Sequence, residues 1–268
     1  MEASRLWFTG LGGARISGWY VRPDRRGPFP GVVHYHGYTE RGARPLEMYT
    51  LAAQGIAVLS MDCRGQDGDS PDIPPLDGGH QAGWLTRGLT DPHHYYYRYV
   101  FTDAVRAIDA LVSREEVDQG RIGVTGASQG GGLALAAAGL SDRVSFVWAD
   151  VPFLCDYRRA VELAPEPPYT EVAAFLRRHP NLQELAFQTL AYFDCANHAH
   201  RVACPATVTV GLLDPVCPPS TIFGTFGRLA AVDKELVVLP YHRHEITYEI
   251  QERRFTALLD RLRPSVSS

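Results

Sequence analysis

What the chain lacks narrows the field first. Its longest strongly apolar stretch, 133–140, falls far short of the roughly 18 residues that a membrane helix needs. The N-terminus, Met1-Glu-Ala-Ser-Arg, has no basic segment leading into an apolar one, so no secretory signal is read there and a cytoplasmic location is expected. Lysine and arginine form no block, and 26 basic against 30 acidic residues leave a formal charge of −4. Phosphate binding needs clustered cations, so neither nucleic acid nor a membrane is expected as a partner, and a small neutral molecule is. The five cysteines (Cys63, Cys155, Cys195, Cys204 and Cys217) are odd in number and too scattered for a Cys-x-x-Cys pair. They read as reduced buried thiols. Three histidine pairs, His34/His36, His198/His200 and His242/His244, have no carboxylate or cysteine at a matching spacing, so no metal is expected. Repeats, low-complexity tracts and interdomain linkers are also missing.

What is present is one ordinary globular domain over residues 1–268, large enough to bury about three quarters of its unfolded surface. Short apolar runs rich in β-branched residues stand at 15–21, 31–35, 56–61, 121–125, 144–149, 206–210 and 235–239. Between them, 46–54, 102–112, 131–140, 221–231 and 246–262 carry apolar residues three and four apart. This alternation predicts an α/β fold, a mostly parallel twisted sheet with helices on both faces. The first two runs are separated by only a turn, which predicts an antiparallel start. Two stretches break the rhythm. Residues 63–99 form a long segment dense in Pro, Gly, His and Tyr, and loops of that length are usually functional. Residues 153–201 are helical in pattern, interrupted by four prolines, and read as an inserted cap. The aromatic run 95–101 reads first as core beside a helix and second as a sugar-stacking surface.

The strongest local signal is Ile122-Gly-Val-Thr-Gly126-Ala-Ser128-Gln129-Gly130, a strand entering Gly-x-Ser-x-Gly and then an apolar helix. Small residues at 126 and 130 permit the tight turn that lifts a serine hydroxyl above a sheet, at the positive end of the next helix. A serine is a weak nucleophile and needs a base and an orienting acid, which follow in this architecture in the order Ser, Asp/Glu, His. Asp214 stands just past one strand, and His242 and His244 lie in the loop after the next. Asp150 is the rival acid, less favoured because it follows the strand directly after the serine's helix. Spacing alone does not choose between the two histidines. For the oxyanion, one donor is expected from the amide of Gln129 and a second from the loop that includes His34-Tyr-His36-Gly37-Tyr38.

With these residues in place, the sequence resembles the acetyl xylan esterase / cephalosporin C deacetylase family of α/β hydrolases. The resemblance is carried by Arg64-Gly65-Gln66, the elbow Gly126 to Gly130 and the pair His244-Glu245, supported by Thr86-Arg-Gly-Leu-Thr-Asp-Pro, Asp150-Val-Pro-Phe-Leu-Cys and Cys217-Pro-Pro-Ser-Thr. It implies an α/β-hydrolase fold with Ser128 as nucleophile, Asp214 as acid, His244 as base, and Tyr38 beside Gln129 in the oxyanion hole. Arg64, Gln66 and Glu245 are supporting residues on this reading, with Arg64 expected to pair with Glu245. It further implies removal of acetyl groups from xylo-oligosaccharides, small alcohols and cephalosporins, no cofactor, and a homo-oligomer, often a hexamer. The sequence departs from the family at Asp67, where the family has glycine. Two other readings are an oligopeptidase-type amidase using the same triad and a non-catalytic binding module, which would be expected to lose one of the three residues.

Overall fold

The computed structural model describes residues 1–71 and 83–262, so the middle of the 63–99 stretch lies outside the described residues. Eight strands form one sheet: β1 (Glu2–Thr9), β2 (Arg15–Arg22), β3 (Phe29–Tyr35), β4 (Ala57–Met61), β5 (Val117–Ala127), β6 (Val144–Asp150), β7 (Ala206–Gly211) and β8 (Lys234–Leu239). Their order is β1-β2-β4-β3-β5-β6-β7-β8. The pairs β4/β3, β3/β5, β5/β6, β6/β7 and β7/β8 are parallel, whereas β1/β2 and β2/β4 are antiparallel. The antiparallel start is therefore present, but β2 lies between β1 and β4 rather than beside β3. Strand β1 was not read from the sequence because its pattern, Glu-Ala-Ser-Arg-Leu-Trp, is polar and largely exposed, as suits an edge.

Helix α1 (Pro45–Ala53) joins β3 to β4, and α2 (Tyr96–Val112) precedes β5. Helix α3 (Gln129–Leu140) follows β5, and α4 (Tyr157–Leu163), α5 (Tyr169–Arg178), α6 (Gln183–Ala191) and α7 (Cys195–His198) occupy the stretch between β6 and β7. Helix α8 (Pro219–Gly227) joins β7 to β8, and α9 (Tyr248–Leu262) closes the described fold. The sheet is buried on both faces. One face packs residues of α2, α3 and the 153–201 stretch around Tyr35, Val124 and Leu133; the other packs α1 and α9 around Val32, Val58 and Trp148. No described helix is long and apolar enough to cross a membrane.

The tyrosine run proves to be core. Tyr95, Tyr96 and Tyr97 are buried, so they offer no face to a sugar, and the second reading of that run falls. After β3 the chain moves by α1 to one side, to β4, and then crosses to the other, to β5. Ligands of open α/β sheets bind beyond the carboxyl ends of the strands at such a switch point. Ser128 follows β5 directly, and Tyr38 stands three residues past the end of β3.

Candidate active site

Ser128 sits between β5 and α3 at φ 54° and ψ −116°, a conformation that non-glycine residues rarely adopt. Close packing imposes it. A Cβ added at Gly126 would lie 2.4 Å from the carbonyl oxygen of Tyr35, and one added at Gly130 only 2.0 Å from the same atom. The two glycines thus let the elbow press against the end of β3. Its backbone is pinned by the Ser128 N–H donating to the Asp150 carbonyl (2.9 Å) and by the Ser128 carbonyl accepting from Gly132 and Phe153.

His244 reaches Ser128 from the loop after β8. Its Nδ1–H donates to Asp214 Oδ2 at 2.7 Å, leaving Nε2 to accept the Ser128 hydroxyl at 2.9 Å. Asp214 is buried, and its Oδ1 accepts the amides of Val216 and Cys217, both at 2.8 Å. Serine, imidazole and carboxylate form one hydrogen-bonded line, the arrangement that lets a base take the hydroxyl proton as the oxygen attacks. Asp150 is drawn away from it by Trp148 Nε1, Thr209 and Arg254 on the α9 face. His242 is half-exposed and bonded to Glu245 at 2.7 Å.

The candidate oxyanion donors are backbone amides of α3 and of the loop after β3. In α3 the first-turn amide of Gln129 finds no acceptor among the described residues. In the loop after β3, Gly37 N–H donates to Glu40 Oε2 (3.0 Å), Thr39 N–H to Gln66 Oε1 (3.1 Å) and Glu40 N–H to the Gly37 carbonyl (3.3 Å). Of this run only the Tyr38 amide has no partner among the described residues. His36 is a fully satisfied core histidine, donating through Nδ1 to the Gly37 carbonyl and accepting at Nε2 from the Cys63 amide, and burial lowers its pKa.

Gln66 and Gln129 bond to each other reciprocally, at 2.9 and 3.1 Å. Tyr97 donates to Gln129 Oε1, and Tyr96 accepts from Gln66 while donating to the Arg64 carbonyl. The Arg-Gly-Gln segment is thereby tied to the elbow and to the loop bearing Tyr38.

The expected Arg64–Glu245 pair does not form. Arg64 is buried and grips Asp103 of α2 with two bonds, Nε–Oδ2 at 2.6 Å and Nη2–Oδ1 at 2.7 Å. Both groups are engaged elsewhere: the Arg64 guanidinium bonds Asp103 and the Leu11 carbonyl, while Glu245 bonds His242. Glu245 stays with His242 and touches no member of the line. Asp103 was not singled out because its position in an amphipathic helix looks like any other; Glu40 carried a signal, its spacing of three from Gly37 being that of a turn. Cys217 is a further neighbour: its sulfur, Asp214 and His244 offer ligand atoms within 4.8 Å of one another, the one such cluster among the described residues. Burial pushes that thiol well above its ordinary range, and the other two are already bonded to each other.

Comparison with known proteins gives one direction. The acetyl xylan esterase family profile matches residues 1–262. Acetyl esterase Axe7A of Xylanibacter ruminicola is 32% identical over 242 residues, covering 87% of this chain. The chain spans about half, 53%, of that relative's length. Among solved structures, an acetyl xylan esterase from Paenibacillus sp. R4 superposes with a TM-score of 0.93 at 39% identity, covering 97% of this chain and 84% of that one. Acetyl xylan esterase 1 from Thermoanaerobacterium sp. JW/SL YS485 gives 0.92 at 35%, covering 98% and 84%. More distant hydrolases, such as an acylaminoacyl peptidase of Pyrococcus horikoshii at 18% identity and a TM-score of 0.70, covering 97% of this chain and 41% of that one, share the fold.

Proposed function

The chain belongs to the acetyl xylan esterase family, and on that footing we propose that it is a serine carboxylesterase removing acetyl groups from small or carbohydrate esters. Acetylated xylo-oligosaccharides and cephalosporin C type esters are the substrate classes. The observation that carries the reading is the unbroken line Ser128–His244–Asp214, together with the Tyr38 and Gln129 amides, which have no acceptor among the described residues. Ser128 Oγ attacks the ester carbonyl while His244 Nε2 takes its proton and Asp214 holds the imidazolium. The negative oxygen is received by the Tyr38 and Gln129 N–H groups, and collapse expels the alcohol with the proton from His244. Water, deprotonated by His244, then releases acetate and restores the serine. The steps use only groups of this chain, an ester and water. The same family likeness extends the proposal to a homo-oligomer, a ring-like hexamer, which the solution mass of the intact chain tests.

The segment 153–201 acts in this reading as a cap on the acyl side. Phe153 is bonded through its backbone to the Ser128 carbonyl, its ring lies 6.0 Å from that of Tyr38, and the Trp84 ring stands 5.5 Å from Tyr38. A hydrophobic tunnel would gain about 0.8 kcal/mol per added methylene, raising kcat/KM with acyl length. Closed aromatic walls instead impose overpacking costs of about 1 to 3 kcal/mol, a ten- to hundredfold loss. Rates on p-nitrophenyl acetate, butyrate and octanoate are expected to fall with length. An optimum at butyrate or beyond refutes the deacetylase reading, and comparison with acetanilides separates an esterase from an amidase.

A further inference from the structure

One half-buried carboxylate near the site has no part in the reaction as written. Glu171, on α5, accepts the Tyr38 phenol through both oxygens, Oε2 at 2.9 Å and Oε1 at 3.1 Å. The phenol oxygen in turn accepts the backbone N–H groups of Trp84 (2.8 Å) and Leu85 (3.1 Å). The proton and both lone pairs of Tyr38 Oη are thus engaged, so the side chain has one orientation. The segment from residue 83 closes directly over the carboxylate: a Cβ added at Gly83 would lie 1.9 Å from Glu171 Oε2. Burial raises the pKa of Glu171, a sign of desolvation that the Tyr38 hydroxyl partly offsets. Phenylalanine opposite leucine would fill the same space without removing a charge from water. The arrangement has a use at the backbone of Tyr38, since that residue's amide is the one in its loop without an acceptor among the described residues.

We propose that Glu171 is a positioning residue for the oxyanion hole, holding Tyr38 through its hydroxyl so that the Tyr38 N–H stays aimed at the tetrahedral intermediate and tying the 153–201 segment to that donor. The proposal rests on the serine esterase reading. The oxyanion exists only after attack, so a misaimed donor weakens transition-state binding and leaves substrate binding nearly intact.

The test measures kcat and KM on p-nitrophenyl acetate, with inhibition by a small alkylboronic acid, whose serine adduct is tetrahedral. Glu171→Leu removes the acceptor and lowers kcat by about ten- to a hundredfold, less than the loss of a whole donor. KM stays within about twofold, and the boronic acid weakens in parallel with kcat. Glu171→Gln keeps an oxygen acceptor and recovers most of the loss. Tyr38→Phe reproduces the defect, and adding Glu171→Leu to it costs nothing more, because the two act through one contact. Unchanged kcat in Glu171→Leu, a loss confined to KM, or unaltered boronic acid affinity overturns the proposal. If Glu171→Leu does not fold, Tyr38→Phe, which keeps its ring, decides by the same criteria. A wild-type chain that turns over no ester and is not labelled at Ser128 by a fluorophosphonate instead brings down the esterase reading itself.

Discussion

Ser128 occupies a backbone conformation that costs about 1 to 3 kcal/mol, and the surrounding contacts compel it. Its neighbours are fixed by hydrogen bonding: Asp214 makes three acceptor contacts, one to His244 and two to backbone amides, so the imidazole has a single tautomer. His242, two residues before, has the same ring and none of those partners. Substituting His244 with alanine is therefore expected to cut kcat/KM by several decades, whereas His242→Ala changes it by less than about threefold. The reverse pattern in steady-state kinetics would reject the assignment. At this scale the sequence was informative wherever a residue type was forced by chemistry and strand order, as for Ser128, Asp214 and Gln129. Spacing left His242 and His244 equal, and only the family likeness separated them. Arg64 could not be partnered at all, since a carboxylate that neutralises a buried guanidinium can come from any element passing within reach, and Asp103 in α2 is that element.

The elbow is the element on which the site depends, and its glycines are set by contact with β3. Replacing Gly130 with alanine puts a methyl carbon 2.0 Å from the Tyr35 carbonyl. The elbow must shift, with a stability loss of about 1 to 3 kcal/mol or more and activity falling at least about a hundredfold. Gly224 in α8 has nothing within 4 Å of an added Cβ, so Gly224→Ala stabilises, by up to about 1 kcal/mol, and leaves kcat unchanged. Urea unfolding and ester kinetics on both variants check the contrast. Elements with strong periodicity were legible, seven strands and five helices among them. Strand β1 was not, because an exposed edge has no alternation to display, and the start of α2 was hidden by tyrosines whose hydroxyls look polar in sequence yet are satisfied inside the core.

Across the whole molecule, the sheet carries a polar row on its α1/α9 face, where His34 pairs with Ser60 at 3.0 Å. Burial lowers the His34 pKa from 6.5 to about 3, with Arg254 adding to the effect. The unfolded chain therefore binds this proton first: the stability that neutral His34 allows is present above pH 6.5 and is lost as the pH falls toward 3. Between pH 7 and 5 the free energy of unfolding is expected to drop by about 2 kcal/mol on account of His34, and His34→Gln should show a correspondingly smaller drop. An equal acid loss in the variant would contradict this.

The same global topology brings the candidate site to one edge, with Tyr38 after β3, Ser128 after β5, Asp214 after β7 and His244 after β8. The most direct measurement of that convergence is rapid mixing of the enzyme with p-nitrophenyl acetate, followed by acid quench and mass analysis of the peptide bearing Ser128. The account predicts a burst of nitrophenol stoichiometric with enzyme and one acetyl group on Ser128, both absent in Ser128→Ala. Ester turnover with no acetyl on Ser128, or a Ser128→Ala chain that keeps more than a few per cent of the rate, would contradict it.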